Sequence, residues 1–503
     1  MLRAGTPFVL LDDARPGGRC IVYRAPRAIV CAERPEEVAP ALARLRAEVA
    51  RGGHAAGWLS YEAGHALEPR LRALAVRGDG GPLLWFGLFD APEPFDPATL
   101  PDPAGAWAGT PRPLVSEAEH AAAVGRVLDY IAAGDIYQAN LSFRAAVRVL
   151  GDPLALYARL RAASAAGWGG IVHDGRRWIL SCSPETFFTL DAARIVARPM
   201  KGTRPRGSDA AEDRALAEAL AADPKDRAEN LMIVDLLRND LSRVARPGSV
   251  TVPALFAVER YPTVHQMVSE VAAIPAEGVD AVDVLAALFP CGSVTGAPKL
   301  RAMEIIAEVE PDARGVYTGA IGHLTPDGSA AFNVAIRTLT MEDGADEARI
   351  GLGSAVVADS RAALEWAECL AKGAFVTAAN RAFDLIETMR FDPEEGLVAL
   401  DAHIERLRAS ARALDFAFDR HETRNELHAA TFRLTAPARV RLRIGPSGSI
   451  AIAVSALPPA PETPVTARIV PLPVAGGGGR PPPTNPPPPG DGDGRAPARP
   501  GGG

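Results

Sequence analysis

The sequence predicts an α+β protein, on three observations: a strand-rich opening, capped helices set between later runs of strands, and a length and composition that allow a large buried core. Residues 1 to about 92 alternate short apolar runs, such as Phe8-Val9-Leu10-Leu11 and Leu83-Leu84-Trp85-Phe86-Gly87-Leu88-Phe89, with one helical segment near 35–51. The 503 residues are 48% hydrophobic, which suits two to four domains or one large domain with additions.

Taken in order, proline, alanine and glycine dominate 91–113 and predict a surface connection. Ser116 precedes Glu119 at capping-box spacing and opens a helix whose stripe, Ala123, Val127, Leu128 and Ile131, ends near Gly134. Ile136-Tyr137-Gln138-Ala139-Asn140-Leu141-Ser142-Phe143 alternates as a strand. Residues 178–182 and 187–190 predict a strand pair, with Ser183-Pro184-Glu185 as the turn between them. Asp223-Pro224 is an N-cap followed by proline at the first helical position, opening a helix to about Val244 that Pro247-Gly248 stops. Asp226 and Glu229 share one of its faces. A helix beginning near Ser360 carries Glu365, Glu368 and Lys372 on one side. Further on, 383–389 reads as a strand, 402–414 as an amphipathic helix and 438–455 as a hairpin. From Pro458 the pattern decays, and 476–503 is almost wholly Gly, Pro, Arg, Asp and Ala, which predicts a disordered tail. The expected divisions are 1–113, 114–380, 381–457 and 458–503.

A net charge of -7 argues against general binding to nucleic acid or anionic membranes and leaves room for a local basic cleft. Five scattered cysteines, none in a CxxC arrangement, indicate neither a disulfide framework nor a zinc site and fit a reducing cytoplasm. No apolar run approaches ~18 residues, and the first residues lack the apolar core of a signal peptide. The expectation is a cytoplasmic protein outside the membrane.

Arg198-Pro199-Met200-Lys201-Gly202-Thr203-Arg204-Pro205-Arg206-Gly207 places one lysine between turn-forming residues and ahead of two arginines. Pro199 and Gly202 favour a strand end there. A lysine amine is nucleophilic only when deprotonated, so its ordinary pKa of ~10.4 must be lowered by burial or by neighbouring cations such as Arg204 and Arg206. Lys201 therefore has two readings, a solvated loop lysine or a nucleophile. The chain holds only four lysines, Lys201, Lys225, Lys299 and Lys372, amid plentiful arginine, which gives the second reading weight. The acids on the two helices likewise form either a salt-bridged solvent face or a site for a hard cation such as Mg2+. The loop Gly292 to Lys299 is not a Walker phosphate loop, because Ala297-Pro298 separates Gly296 from Lys299. Its small residues leave amides at the start of the helix 298–309, which suits a carboxylate. The His421 to His428 spacing is wrong for HExxH, and no Gly-x-Ser-x-Gly elbow occurs.

The chain resembles the chorismate-utilising enzymes over roughly residues 1–380. The resemblance lies in 134–142, Ser183-Pro184-Glu185, the run 226–241 from Asp226 to Leu241, the loop 292–299 with Arg301-Ala302-Met303-Glu304, Ile336-Arg337-Thr338, and Gly351-Leu352-Gly353-Ser354. It implies two facing, mostly antiparallel sheets flanked by helices, with the active site in the cleft between them. Isochorismate and salicylate synthases carry a water-activating lysine where this chain has Gln138, and anthranilate synthases carry alanine where it has Lys201. Lys201 marks the branch that aminates chorismate at C4 to give 4-amino-4-deoxychorismate, on the way to para-aminobenzoate and folate. In that resemblance Lys201 attacks C2 and Glu185 protonates the departing hydroxyl. Glu229 and Glu368 hold Mg2+, with Asp226 and Glu365 beside them. Tyr317, Arg337, Lys372 and the amides around Gly353 hold the rest of the substrate, and Gly202, Thr203, Thr295, Gly296 and Gln138 belong to the pocket. One departure is Gln266, where many relatives have histidine. No stretch resembles a glutamine amidotransferase, so ammonia is expected from a separate glutaminase subunit or from solution. Residues 383–390 and 403–411 are similar to the start of aminodeoxychorismate lyase, a pyridoxal-phosphate enzyme. That chemistry needs a lysine Schiff base and no lysine follows Lys372, so a truncated lyase-like segment without a functional cofactor site is expected.

Overall fold

The computed structural model describes residues 2, 4–74, 81–191, 193–261, 264–378, 380 and 383–458. The predicted disordered tail lies outside them from residue 459 on. The chain divides into one compact unit, Met1–Asn380, and a second that follows it.

The first unit is built on two antiparallel sheets. One has eleven strands and runs from Gly296–Ala297 through Gln138–Gly151, Glu347–Val356, Thr338–Glu342, Arg177–Ser183, Trp168–His173, Phe8–Asp12 and Cys20–Arg24 to Glu93–Pro94. The other has ten and runs from Met200–Pro205 through Val264–Ala273, Ile195–Ala197, Thr186–Leu190, Ala330–Val334, Ala320–Leu324, His54–Leu59 and Leu84–Phe89 to Ala28–Ala32. Side chains alternate between the faces of a strand, and this alternation makes the layers. Val9 and Ile179 of the first sheet pack with Trp58, Trp85 and Ile321 of the second. Their neighbours Phe8, Leu10, Trp178 and Leu180 point the other way, into a core shared with the helix Pro153–Ser164. The second sheet buries its outer face against Pro35–Ala50, Pro224–Ser242 and Ala281–Leu288. Strands buried on both faces read as continuous apolar runs, which is why Phe8-Val9-Leu10-Leu11 shows no polar alternation.

Two expectations are corrected here. The strands Arg177–Ser183 and Thr186–Leu190 do not pair with each other. The first pairs with Trp168–His173 and Thr338–Glu342 in one sheet, the second with Ile195–Ala197 and Ala330–Val334 in the other. Ser183-Pro184-Glu185 is thus a crossing between sheets rather than a hairpin turn. The stretch 91–113 is also more than a surface connection: Ala106–Ala108 and Arg112–Pro113 add to the long strand Gln138–Gly151, and Ala106 and Ala108 are buried. Alanine and proline there suit a short edge strand as well as a linker.

The helix Glu117–Ala132 begins on the predicted capping box, with the Ser116 hydroxyl and the Glu119 carboxylate exchanging hydrogen bonds with the backbone. In the second unit the strands Gly396–Leu397, Leu385–Asp392, Ala438–Ile444 and Ile450–Ala456 form a sheet in that order. Two helices accompany it, Leu400–Leu414 and Arg420–Thr431. The second helix escaped the sequence reading, although Asp419 with Glu422 three residues on is a legible cap.

Candidate active site

A cavity of about 830 Å³ opens in the first unit. Five elements deliver its chemistry. The crossing Ser183–Thr186 brings Glu185, held by backbone bonds: Ser183 Oγ accepts from the Glu185 N–H at 3.2 Å, and the Val334 N–H donates to the Glu185 carbonyl at 3.1 Å. The strand Met200–Pro205 brings Lys201, Gly202 and Thr203. Gly202 sits at φ +89°, and a Cβ there would stand 3.0 Å from Cβ of Asp226. The helices Pro224–Ser242 and Ala362–Gly373 supply Lys225, Asp226, Glu229, Glu365, Glu368 and Lys372, and the strand Glu347–Val356 supplies Gly351 and Gly353. The proline at the first helical position and the Asp223 cap, which accepts from the Lys225 and Asp226 amides at 2.9 and 3.0 Å, start the first helix where Asp226 and Glu229 meet the cavity.

Glu185 is buried, and burial raises its carboxyl above the ordinary range; the Ser293 hydroxyl donates to its Oε1 at 2.6 Å, and Lys201 and Lys372 oppose the rise. Lys201 is lowered from the ordinary lysine value, first by desolvation and then by Lys372, against the pull of Glu229, Glu185 and Glu368. The cation beside it is Lys372. Arg204 and Arg206 do not play the part expected of them, because Arg204 is paired with Asp223 at 3.0 Å and Asp226 at 2.8 Å, and Arg206 with Asp213 at 2.7 Å. Among the described residues neither Lys201 nor the guanidinium of Arg337 has a hydrogen-bond or ion-pair partner, so two unpaired cationic side chains border one cavity. Arg337 also stands at φ +50°, a conformation rare for a long side chain. Tyr317, half-buried, has its phenol raised by burial and packs so close to the strand that a Cβ on Gly351 would lie 2.1 Å from its ring.

The four acids expected around a metal all line the cavity, and their commitments differ. Asp226 is paired with Arg204, Glu368 with Lys372 at 2.7 Å, and Glu365 accepts from the Ser360 hydroxyl at 2.7 Å. Among the described residues Glu229 accepts no hydrogen bond and makes no ion pair; burial, together with Asp226 and Glu368, raises its carboxyl while Lys201 and Lys225 oppose. No group of three or more His, Cys, Asp or Glu among the described residues is drawn together as a ready metal cage. The donor chemistry still suits a hard cation, since Glu229 and Glu368 are like charges held near each other and one of them is unpartnered.

Three expected pocket residues are not on the wall. Thr295 is fully buried and its hydroxyl donates to the carbonyls of Cys291 and Gly292 at 3.3 and 3.1 Å. Gly296 pairs with Ala139, where a Cβ would meet the Gln138 carbonyl at 2.2 Å. Gln138 is itself fully buried, with both amide atoms lacking a partner among the described residues. Nor does the start of the helix Lys299–Val309 reach the cavity; the Lys299 ammonium is instead engaged by Asp240 and the Leu288 carbonyl, at 2.5 and 2.9 Å. The loop contributes Ser293 and Val294 instead, because the single turn Gly292–Val294 presents them while the next residues bond into the sheet edge. Sequence reasoning missed Ser293, Arg314 and Lys225. Lys225 was legible as one of four lysines beside a helix cap and Ser293 lies within the loop 292–299, whereas Arg314 carries no signal apart from tertiary placement.

The sequence profile of the chorismate binding enzymes matches residues 7–378, and that of the class IV amino-transferases matches 384–476. The chain is 44% identical over 272 residues to anthranilate synthase component 1 of Streptomyces coelicolor, which is 53% of this chain and 52% of that one. It is 46% identical over 249 residues to aminodeoxychorismate synthase component 1 of Salmonella typhimurium, 49% of this chain and 54% of the other. The matched part is thus about half the length of these curated relatives. Among solved structures, anthranilate synthase component I from Streptococcus pneumoniae superposes with a TM-score of 0.62 at 25% identity, over 75% of this chain and 93% of that one. The menaquinone-specific isochorismate synthase of Escherichia coli gives 0.58 at 19% identity, over 75% and 90% respectively, a likeness of fold. No helix among the described residues is long and apolar enough to cross a membrane.

Proposed function

This chain belongs to the chorismate binding enzyme family, and we propose that within it the chain acts as an aminodeoxychorismate synthase component 1, replacing the C4 hydroxyl of chorismate by an amino group. The observation that carries this is Lys201: an unpaired amine on the cavity wall, lowered from its ordinary value, near a buried carboxyl that is raised. Those two shifts move the amine towards its unprotonated form and the carboxyl towards its protonated form, the states the substitution requires.

The substrate is a dianion, and the unpaired Arg337 with Lys372 at the cavity provides the cationic surface it needs. Lys201 Nζ forms a bond to C2, both ring double bonds shift one position towards C4, and the C4 hydroxyl leaves as water with the proton of Glu185. Ammonia then bonds to C4, both double bonds return, the C2–N bond breaks to release the amine, and the Glu185 carboxylate recovers a proton from the new ammonium. The Ser293 hydroxyl engages one oxygen of Glu185, which leaves the other to carry the proton. Glu229 and Glu368, with Asp226 and Glu365 beside them, would hold Mg2+ in this reading, and the bound ion would neutralise negative charge on a substrate carboxylate.

Ammonia comes from a separate glutamine amidotransferase subunit or from solution. The second reading is anthranilate synthase component 1, which the comparable identity to the Streptomyces coelicolor protein favours. Lys201, where such enzymes carry alanine, speaks against it. The test is incubation of the purified chain with chorismate, Mg2+ and ammonium salt, with products identified by mass and ultraviolet spectrum. Aminodeoxychorismate, with para-aminobenzoate only after a lyase is added, is expected. Anthranilate would establish the second reading, and no turnover even with a glutaminase added would leave a regulatory subunit.

A further inference from the structure

Two small spaces lie against the large cavity. One, about 20 Å³, is bordered by Tyr61, Glu62, His65, Glu310 and Arg314; the other, about 10 Å³, by Ser142, Glu310, Arg314 and Tyr317. Arg314 borders both and the large cavity as well. Asp312, exposed, and Ala313, half-exposed, form their outer rim. The larger of the two is the size of one water molecule.

Its lining is polar and incomplete. The Tyr61 hydroxyl and both ring nitrogens of His65 have no partner among the described residues, although the two residues are only 1% and 4% exposed. Buried polar atoms without partners are uncommon and point to a small molecule that supplies the missing bonds. The nearby charges are already engaged. Glu62 accepts from the amides of Arg314 and Gly315 at 2.7 and 3.0 Å, and Glu310 accepts from Arg314 Nη2 at 2.6 Å and from the Ser142 amide at 2.7 Å. The Arg314 guanidinium lies 4.5 Å from the centre of the Tyr61 ring. Burial and Arg314 hold His65 down at about 4, so at neutral pH it is an uncharged imidazole. The space therefore offers a neutral hydroxyl and a neutral ring, each able to exchange a hydrogen bond with an uncharged molecule that both donates and accepts. Water and ammonia share that chemistry.

We propose that the space between Tyr61, His65 and Arg314 is a holding site for ammonia, one residue removed from the cavity, with Arg314 as the wall it passes. The proposal rests on the amination reading, since only that chemistry consumes ammonia at the cavity.

The test compares the unmutated full chain with Tyr61→Phe/His65→Leu and with Ala313→Trp, a rim substitution that blocks the entrance at a half-exposed position. Each is assayed at fixed pH with ammonium chloride as nucleophile source and chorismate saturating. Loss of one or two hydrogen bonds corresponds to roughly a tenfold rise in KM for ammonia, with KM for chorismate unchanged. A folded Ala313→Trp protein with an unchanged KM for ammonia overturns the proposal even where the double variant fails to fold. A crystal structure of the unmutated chain gives an answer independent of activity: an ordered molecule bonded to the Tyr61 hydroxyl and His65 is expected, and an empty space overturns the site. Density there with an unchanged ammonia KM in both variants means water alone, which overturns the ammonia assignment. An unmutated chain that makes no aminodeoxychorismate refutes the functional reading, while the crystallographic result still decides whether the site exists.

Discussion

At the residue scale, the proposed amination turns on two groups whose pKa values are shifted from their ordinary ones, Glu185 upwards and Lys201 downwards. Glu185 is raised in the folded protein, mainly by desolvation, so the native state binds its proton more tightly than the unfolded chain does. Its contribution to stability is therefore fully present below the ordinary glutamate pKa and is lost as pH rises through the raised value. Glu185→Gln keeps the shape and the acceptor for Ser293 without the ionisation. The variant should match the parent's Tm at low pH and exceed it increasingly above the ordinary glutamate range, as thermal melts across pH will measure, while losing amination. A parent and variant with parallel Tm profiles would mean that the carboxyl is not held protonated. For Lys201 the expected result of Lys201→Ala is loss of amination by at least about a hundredfold, with chorismate binding retained within a few-fold, measured by product formation and by titration without ammonia. Lys201→Arg should fail equally, because a guanidinium stays protonated and cannot act as nucleophile. Lys201 was legible because scarcity and turn chemistry mark it in the chain, whereas Glu185 entered through the motifs that carry the resemblance. Thr295, Gly296 and Gln138 belong to the same motifs, yet depth below the cavity wall is a property of the packed sheets and has no signature in spacing.

At the scale of elements, the site depends on a chain crossing from one sheet to the other and on a strand stripped of side chains. A strand, two residues and another strand look the same in sequence whether they pair or part. What separates them is pairing with Thr338–Glu342 and Ala330–Val334, more than 130 residues away, which loop-length rules cannot see. The strand Glu347–Val356 poses the opposite case: Gly351 and Gly353 stand in the sequence only as part of the Gly351-Leu352-Gly353-Ser354 resemblance, and the fold supplies what approaches them. It is Tyr317, whose ring would stand 2.1 Å from a Cβ at 351 and whose hydroxyl would stand 3.1 Å from one at 353. Gly351→Ala must therefore displace the ring. It should cost about 1–3 kcal/mol of stability, as overpacking of a filled site does, and weaken chorismate binding. Denaturant unfolding and chorismate titration check the two effects, and an unperturbed Gly351→Ala protein would show that Tyr317 moves freely. Exposed pairs at the cavity mouth, such as Lys225 with Asp359 at 3.0 Å, call for the contrary expectation: Asp359→Ala should change stability by less than about 1 kcal/mol.

At the scale of the molecule, the chain joins a large unit with a smaller one, and their independence is open to experiment. Among the described residues the first unit has four hydrophobic clusters drawn from residues up to Val376, the cavity is lined by residues between Asn140 and Phe375, and the family match ends at 378. A unit of some 380 residues buries the larger part of its surface and needs no staple. By contrast, residues 383–458 offer one four-stranded sheet with two helices, packing Leu385, Met389, Ile404, Leu407, Leu427, Val440 and Leu442. A core of that size supplies only a few kcal/mol. The absence of any lysine after Lys372 also denies this part a Schiff base of its own, so borohydride reduction in the presence of pyridoxal phosphate should label no residue beyond 380. The expectation is that residues 1–380 alone fold, melt within a few degrees of the main transition of the full chain, and aminate chorismate at the parent rate. Calorimetry and the product assay on the two proteins decide it. If 1–380 aggregates, or melts well below the full chain, the second unit is a structural support of the first; if it folds and melts like the parent but turns over slowly, the second unit acts on catalysis, and the lyase-like resemblance would then mark a retained function.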